Sequence, residues 1–238
     1  MLDALKGRTV LVVGRGTGIA RAITLALRAA DASVVVAGRN RDDLATAYDD
    51  PGITAEYVDL TDEQTIAALA ERIGRVDHIV STASARARGR LGDLRSEVVT
   101  LSFATKVIGP ILLAKHFAPR LARDGSILLF SGATARKPTI GMLAVGATNG
   151  AVDALVRTLA VELAPVRVNA ISPGTIDTGA YDALGEQQKA GLFATRSKNN
   201  PARRIGTSED VAMAAIFALT NTFLTGVSLP VDGGEVLV

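Results

Sequence analysis

A glycine-rich turn near the amino terminus has the residue types and spacing that bind a pyrophosphate. The apolar run Val10–Val13 stops at Gly14-Arg15-Gly16-Thr17-Gly18, and a helical pattern beginning at Ile19 follows. Glycines let the turn tighten and let backbone N–H groups approach a pyrophosphate at the positive end of the helix. A strand–turn–helix connection without a ligand is the alternative, because the pattern alone has low specificity.

The segment after the second apolar run favours NADP(H) over NAD(H). Ser33–Ala37 ends in Gly38-Arg39-Asn40, where NAD-preferring proteins carry an acidic side chain for the ribose diol. The guanidinium of Arg39 can pair with a 2′-phosphate through charge-assisted hydrogen bonds, each worth about 1.5–3 kcal/mol and enough for a tenfold preference. A solvated surface arginine at the start of a helix is the alternative.

Length and composition indicate a single domain, residues 1–238. The chain is 48% hydrophobic, which is enough for one large core, and no linker, low-complexity segment or repeat divides it. It contains no cysteine and two histidines, so disulfides are excluded and we expect no metal site. The formal net charge of +2 lacks the concentrated basic patch of nucleic-acid binders.

The amino terminus and the hydropathy pattern predict a cytoplasmic protein. Met1–Arg8 has no charged region followed by a long apolar segment. No apolar run approaches membrane-spanning length, so we expect no association with a membrane.

Short apolar runs alternate with stretches of helical periodicity along the chain. They predict strands at 10–13, 33–37, 55–58, 78–82, 126–130, 166–171 and 228–231, and helices at about 18–30, 41–48, 62–73, 95–122, 143–164 and 208–220. Thr61 and Gln64 fit a capping box at the start of the third helix. This alternation predicts a doubly wound α/β fold: a seven-stranded parallel sheet flanked by helices on both faces.

Several motifs in this order and spacing resemble the short-chain dehydrogenase/reductase family over essentially the whole chain. They are Gly14-x-x-x-Gly18-Ile19, Arg39 after the second strand, Asp59 after the third, ELAPVRVN at 162–169, SPGTIDT at 172–178 and TGVSLPVDGG at 225–234. Each motif is modest alone, but their order makes the resemblance strong. It implies a Rossmann fold and an oxidoreductase that uses NADP(H).

The resemblance also implies a set of cofactor contacts. The glycine-rich turn would hold the pyrophosphate and ribose, the residues after the second and third strands the 2′-phosphate and adenine, and the SPGTIDT segment the nicotinamide. The implied cofactor-binding residues are Gly14, Arg15, Thr17, Gly18, Ile19, Arg39, Asn40, Asp59, Leu60, Ala83, Pro173, Gly174, Ile176 and Thr178.

Two departures from the family pattern fall in this cofactor-binding region. Ala20 replaces the third glycine of the turn, and we expect its methyl group to require a small packing adjustment. Ser81-Thr82-Ala83-Ser84 replaces Asn-Asn-Ala-Gly after the fourth strand. Ser81 and Thr82 can still form hydrogen bonds that brace the sheet, whereas Ser84 narrows the space for the cofactor.

The third departure removes the family's catalytic tetrad of Asn, Ser, Tyr and Lys. Alignment on the long helix places Val145 at the tyrosine, Asn149 at the lysine and Gly132 at the serine, and Lys106 stands at the asparagine. A valine cannot transfer the substrate proton, a contribution worth about 10²–10⁴ in rate. Because holding the reactants together can supply about 7–11 kcal/mol, the loss weakens reduction without forbidding it.

Asparagine and lysine thus exchange places, since Lys106 and Asn149 replace Asn and Lys. The two positions are neighbours in the family, so the site would keep one ammonium and one amide. We predict that Lys106 restores the charge beside the nicotinamide ribose and polarises a substrate oxygen; a lysine extending along its helix to solvent is the alternative. The predicted catalytic residues are Lys106, Ser131 and Asn149, and the other candidate proton donors are Thr134, Thr148 and Tyr181.

Basic residues surround the predicted mouth of the site. They are Arg86, Arg88 and Arg90 after the fourth strand, and Arg136 and Lys137 after the fifth. Loops at the carboxyl ends of parallel strands are where ligands approach this architecture, and an anionic or carbonyl-rich substrate would suit these side chains. Solvated surface or subunit contacts are the alternative.

A substrate lid is expected at 180–204, where Gly185, Gly191 and Lys198-Asn199-Asn200-Pro201 would break regular structure. Tyr181 within it would serve either lid packing or proton transfer. The resemblance implies a homodimer or homotetramer formed through the helices at 95–122 and 143–164.

These observations favour an atypical NADP(H)-dependent oxidoreductase that reduces a ketone or quinone-like carbonyl compound with a rebuilt site. A cofactor-binding but non-catalytic sensor or partner subunit is the alternative, because tyrosine and serine are both lost. A non-redox enzyme is a third possibility, and fold alone does not decide among the three.

Overall fold

The computed structural model describes residues 2–238, and that part of the chain contains nine strands. They are β1 (Thr9–Val13), β2 (Ser33–Gly38), β3 (Ile53–Tyr57), β4 (Val76–Ser81), β5 (Leu121–Phe130), β6 (Arg167–Pro173), β7 (Ile176–Asp177), β8 (Gly206–Thr207) and β9 (Ser228–Val231). Seven of them form one sheet in the order β3-β2-β1-β4-β5-β6-β9, and every neighbouring pair is parallel. The predicted seven-stranded parallel sheet is confirmed.

Helices cover both faces of this sheet. They are α1 (Gly18–Ala29), α2 (Arg41–Thr46), α3 (Glu63–Ile73), α4 (Ser96–Phe103), α5 (Gly109–Phe117), α6 (Leu143–Glu162), α7 (Glu186–Asn199) and α8 (Ser208–Thr220). A π-helical turn, Ala104–Ile108, joins α4 to α5. One core cluster contains α1 and α8, and the other contains α3, α5 and α6. The fold is therefore the doubly wound Rossmann arrangement.

The strands are continuous apolar runs because helices bury both of their sides. In β1, Val10 and Val12 belong to the core under α1 and α8, whereas Leu11 and Val13 belong to the core under α3, α5 and α6. Successive side chains of a strand point to opposite faces, so a strand that is covered on both sides needs apolar residues at every position.

The boundary between α5 and β5 differs from the prediction. The predicted helix 95–122 ends at Phe117, a 3₁₀ turn at Ala118–Arg120 follows, and β5 begins at Leu121 rather than at 126. Pro119 lies in that turn and cannot continue an α-helix, because it has no N–H group. The first residues of β5 pair irregularly with β4, which explains why this part of the strand carries no clear apolar run.

The helical run Ser96–Arg120 is long and apolar enough to cross a membrane by length and composition alone. From the sequence, no apolar run of that length was expected. Its residues Leu113 and Phe117 pack in the core against the sheet, as in a central helix of a globular domain.

Two local predictions are wrong. The start of α3 is capped by Asp62, whose carboxylate accepts from the Gln64 N–H at 2.9 Å, whereas the Thr61 hydroxyl donates to Asp59 at 2.7 Å. Gly191 does not break regular structure, because it lies inside α7. That helix buries none of its residues, so it has no apolar periodicity that would identify it from the sequence.

Candidate active site

The glycine-rich turn lies where the carboxyl ends of β1, β2 and β4 approach one another. A Cβ atom on Gly14 would lie 2.3 Å from Oγ1 of Thr82, and one on Gly38 would lie 2.7 Å from the carbonyl oxygen of Gly14. Gly18 adopts φ +56°, a conformation that favours glycine. These contacts explain why the turn needs glycine, independently of any ligand.

The amino terminus of α1 is open to an anion. Thr17 precedes the helix in an extended conformation, and its side chain makes no capping hydrogen bond. The first turn of α1 contains no acidic residue. The first N–H groups of a helix have no intrahelical acceptor and lie at its positive end, so this terminus fits a pyrophosphate.

Thr82 provides the bracing that was expected after β4. Its backbone N–H donates to the carbonyl oxygen of Val13 at 2.9 Å, and its hydroxyl donates to the same oxygen at 3.2 Å. Ala20 is buried, and a Cβ on Gly14 would lie 3.0 Å from its methyl group. The turn therefore accommodates Ala20 because Gly14 leaves space beside it. Ala83 follows directly and is half-buried.

The residues expected near the adenosine differ in how free their side chains are. Arg15 and Arg39 are exposed, and neither forms an ion pair within residues 2–238. Asn40 caps α2 by accepting from the N–H of Asp43 at 3.3 Å. Asp59 accepts from the N–H of Thr61 at 2.9 Å. The Asn40 side chain is thus already engaged, whereas Arg39, the other residue expected at a 2′-phosphate, is exposed and unengaged in this part of the chain. Leu60 is buried.

The segment expected to face the nicotinamide, Pro173–Thr178, lies over the glycine-rich turn. A Cβ on Gly18 would lie 3.1 Å from Cβ of Thr178. Ile176 is buried and pairs with Gly206 in the short β7–β8 ladder. The structure thus brings the first and the last expected cofactor-contacting segments together.

The ammonium group of Lys106 points into the site rather than along its helix to solvent. Lys106 lies in the π-helical turn and is 8% exposed. Its Nζ donates to the carbonyl oxygen of Ser131 at 3.1 Å and to Oδ1 of Asn149. The three predicted catalytic residues, from three different segments, therefore form one hydrogen-bonded cluster.

Burial, and then the positive charge of Arg86, lower the pKa of Lys106 from 10.5 to about 7, while Asp153 acts in the opposite direction. The dominant cause is the removal of the charged form from water, which disfavours an ammonium. Near neutral pH the group is therefore divided between ammonium and amine. That balance suits proton transfer, because a general acid acts best when its pKa is close to the working pH.

Asn149 connects the lysine to the loop after β5. Its Oδ1 accepts from Lys106, and its Nδ2 donates to Oγ1 of Thr134 at 2.7 Å. A Cβ on Gly132 would lie 2.6 Å from this Nδ2, so a serine there would collide with the amide. The absence of a side chain at Gly132 and the position of the Asn149 amide are thus linked by packing.

Ser131, Thr148 and Tyr181, three of the candidate proton donors, each contact a neighbouring residue. The hydroxyl of Ser131 donates to the carbonyl oxygen of Asn149 at 3.0 Å, and that of Thr148 donates to the carbonyl oxygen of Val145 at 3.1 Å. The ring of Tyr181 packs edge-on against Phe193, with centroids 5.4 Å apart. The hydroxyls of Ser131 and Thr148 are thus engaged by backbone carbonyls, and the Tyr181 ring packs within the segment expected to form the lid.

Two groups near the site, Glu235 and Arg196, were not predicted from the sequence. Glu235 accepts from the N–H of Thr175 at 2.7 Å, and the guanidinium of Arg196 contacts both of these residues. Glu235 directly follows the Gly233-Gly234 pair, but nothing in the sequence indicates a contact with a residue 60 positions away. Within residues 2–238, no cluster of His, Asp or Glu could hold a metal ion.

Known proteins resemble this chain over nearly its whole length. A family model described as Enoyl-(Acyl carrier protein) reductase matches residues 13–235. The Short-chain dehydrogenase/reductase ucsE of Acremonium sp is 30% identical over 99% of this chain and 97% of its own length. The L-xylulose reductase of Bos taurus is 31% identical over 97% of each chain. A solved small-chain dehydrogenase in complex with NADPH is 30% identical, covers 98% of this chain and 100% of its own, and superposes with a TM-score of 0.83.

Proposed function

The chain belongs to the short-chain dehydrogenase/reductase family, and on that premise we propose that it is an NADP(H)-dependent carbonyl reductase whose proton donor is Lys106. The observation that carries the proposal is the buried contact of Lys106 with Asn149 and Ser131. It keeps an ammonium and an amide in a site from which tyrosine and serine are lost.

The cofactor fits the residues present. The open amino terminus of α1 would hold the pyrophosphate, and the exposed guanidinium of Arg39 would pair with the 2′-phosphate. Asp59 and Leu60 would lie at the adenine, and Pro173–Thr178 would lie at the nicotinamide. When bound, NADPH supplies a hydride for the carbonyl carbon of the substrate.

Lys106 would protonate the substrate oxygen. Two of its ammonium protons are directed at Ser131 and Asn149, and the third has no acceptor within residues 2–238. That proton is available to a carbonyl oxygen as it gains negative charge. The positive charge of Arg86, which also lowers the pKa of Lys106, would stabilise the same oxygen, because opposite charges attract.

Asn149 and Ser131 would act by positioning Lys106. The acceptor Oδ1 of Asn149 and the carbonyl oxygen of Ser131 lie on two different elements and fix the position of Nζ. Both are neutral acceptors, so neither raises the pKa of the lysine as a carboxylate would. Because Asn149 is neutral, the ammonium group of Lys106 can still release its proton near neutral pH.

The substrate is proposed to be a ketone or a quinone-like compound. The similarity to L-xylulose reductase favours a ketone, since that relative is named for reducing a ketose. The segment 180–204 is proposed as the lid over this substrate. The packing of Tyr181 on Phe193 and the ion pair of Lys189 with Asp182 lie within this segment, and the ion pair of Lys189 with Asp177 joins it to β7.

The proposed homo-oligomer would form through the long helices. Several apolar side chains on these helices are exposed, and they are Leu101, Ile108, Ile111, Leu143 and Val161. Exposed apolar residues spread along neighbouring helices are typical of subunit contacts.

A cofactor-binding protein without catalysis is the second candidate. Val145 fills the tyrosine position as a buried apolar side chain, and Gly132 leaves no hydroxyl at the serine position. Such a protein would keep the cofactor contacts and would not transfer hydride.

A fluorescence titration followed by a turnover assay tests the proposal. The chain contains no tryptophan, so NADPH emission can be followed against a dark background. We expect NADPH to bind at least about tenfold more tightly than NADH. Oxidation of bound NADPH by a panel of ketoses, diketones and quinones would support the reductase. Binding without oxidation would support the second candidate, and no binding at millimolar NADPH would reject both.

A further inference from the structure

The carboxyl-terminal turn of the chain contacts both the nicotinamide-facing segment and the lid helix α7. Glu235 begins a 3₁₀ turn that extends to Leu237. One oxygen of its carboxylate, Oε2, accepts from the backbone N–H of Thr175 at 2.7 Å. The other oxygen, Oε1, lies 3.5 Å from a guanidinium nitrogen of Arg196 on α7. A single side chain therefore contacts two segments that are expected to enclose the substrate.

Arg196 contacts both Thr175 and Glu235, so each of the three residues contacts the other two. Its guanidinium donates to the hydroxyl of Thr175 and also approaches the Glu235 carboxylate. Thr175 is 4% exposed, whereas the Arg196 and Glu235 side chains are 39% and 22% exposed. The ion pair thus lies at the rim, and the threonine lies beneath it.

The turn is itself held in place by Lys137, which lies in the connection between β5 and α6, and by Asn200 at the end of α7. Nζ of Lys137 donates to the carbonyl oxygen of Glu235 at 2.8 Å. Nδ2 of Asn200 donates to the carbonyl oxygen of Asp232 at 3.0 Å. A Cβ on Gly174 would lie 2.8 Å from Oε2 of Glu235, so the carboxylate also packs against the backbone beside Pro173.

We propose that Glu235 is a positioning residue that couples the position of α7 to the conformation of the Pro173–Thr178 segment. The proposal rests on the proposed function, because it takes that segment to be the nicotinamide contact. Hydrogen bonding to Thr175 fixes the segment, and attraction to Arg196 holds α7 against it. When the lid helix moves away, the carboxylate loses its counterion and the segment loses the Arg196 bond to the Thr175 hydroxyl.

Two substitutions distinguish the contact of Glu235 with Thr175 from its contact with Arg196. Glu235→Gln keeps an oxygen that can accept from the Thr175 N–H but removes the charge that attracts Arg196. Glu235→Ala removes both interactions. Glu162→Gln is a matched control, because Glu162 is exposed and forms no side-chain hydrogen bond in residues 2–238.

Tryptic cleavage after Lys189 in the cofactor-free protein reports on the lid. We expect Glu235→Gln and Glu235→Ala each to speed this cleavage about two- to fivefold, because loss of a partly exposed ion pair raises the open population by that order. Arg196→Gln should speed it similarly, and the double variant with Glu235→Gln should add little. Lys198→Gln, which removes a charge from the same helical turn, should leave the rate unchanged.

NADPH affinity and steady-state kinetics report on the segment. We expect Glu235→Ala to weaken NADPH binding about tenfold, with a rise in KM for NADPH that exceeds any fall in kcat. Glu235→Gln should keep most of the affinity, since Thr175 retains an acceptor. The melting temperature should change little in any variant, because the Glu235 side chain is partly exposed and its ion pair lies at the rim.

The results distinguish failure of this inference from failure of the proposed function. The proposed coupling would be overturned if the Glu235 variants had the same cleavage rates and NADPH affinities as the control Glu162→Gln. Additive effects of Arg196→Gln and Glu235→Gln on cleavage would also overturn it. If the unmodified protein does not bind NADPH, the proposed function fails, while the cleavage rates still decide whether Glu235 holds α7.

Discussion

Nδ2 of Asn149 occupies the space that a side chain on Gly132 would need. A Cβ on that glycine would lie 2.6 Å from the amide nitrogen, which is closer than real Cβ contacts come. The same amide accepts from Lys106 through its Oδ1. The lysine, the asparagine and the glycine are therefore one packed unit, and a change at one position constrains the other two.

Gly132→Ser should destabilise the protein by about 1–3 kcal/mol, because the new side chain overpacks against Asn149. Combining it with Asn149→Gly should remove most of this cost, since the amide is then absent. Urea denaturation of the single and double variants measures the coupling. Gly150→Ser is the control, because no atom lies within 4 Å of a Cβ there. Additive free energies would contradict the packing conflict.

Lys106→Met should lower turnover at least tenfold or weaken NADPH binding by that factor, because it removes the only proposed proton donor and its charge. The methionine is similar in length and keeps the buried site filled. Steady-state kinetics with the best substrate of the panel provide the measurement. Lys115→Met is the matched control on α5, where the lysine is exposed and pairs with Glu63. Unchanged kinetics in Lys106→Met would exclude the lysine from the reaction.

The rate of reduction should fall as the pH rises through about 7, the pKa of Lys106. Only the ammonium form can donate a proton, and above this pH the amine predominates. The reverse oxidation should increase over the same range, because the amine is then the proton acceptor. A profile of kcat against pH from 5.5 to about 9 measures this. A reduction rate that stays constant across this range would rule out Lys106 as the acid.

The stability of the fold should rise between pH 7 and pH 10.5. The pKa of Lys106 is about 7 in the folded chain, against an ordinary value of 10.5, so the unfolded chain binds more protons in this window. Stability then increases with pH by at most about 1.36 kcal/mol per unit and is flat below pH 7. Lys106→Met should lack this component. If the free energies of unfolding of the unchanged protein and of Lys106→Met depended on pH in the same way, the lysine would have to stay charged over this range.

Arg39→Gln should weaken NADPH binding at least about tenfold and leave NADH binding unchanged, because the guanidinium is proposed to contact only the 2′-phosphate. Fluorescence titration with both cofactors gives the two affinities. Arg41→Gln serves as the control, since the Arg41 guanidinium donates to the carbonyl oxygen of Ala55 instead. Equal losses for NADPH and NADH would place Arg39 elsewhere than at the phosphate.

The sheet was predictable because its strands are apolar on both sides. Runs such as 10–13 and 33–37 identify buried strands directly, and the glycine-rich turn fixes where the first helix begins. The start of β5 was not predictable, because its pairing with β4 is irregular before Ser126. α7 was missed because it buries no residue, and a helix without an apolar face has no periodic signal.

The cluster of Lys106, Ser131 and Asn149 was predictable because the family resemblance placed all three positions in one site. The contact of Asn149 with Thr134 and the role of Gly132 were not, because they depend on side-chain rotamers and on the path of the loop after β5. No sequence pattern indicates the contacts of Glu235. They join segments distant along the chain, and only the folded arrangement brings them together.

The π-helical turn Ala104–Ile108 amounts to one surplus residue inserted into an otherwise α-helical run. Removing that residue would rotate everything after it by about 100°, since an α-helix advances one residue per 100°. Leu113 and Phe117 would then turn away from the sheet. The same inserted residue therefore sets both the position of Lys106 in the site and the packing of α5 on the sheet. A natural or engineered change of length at this turn would alter both.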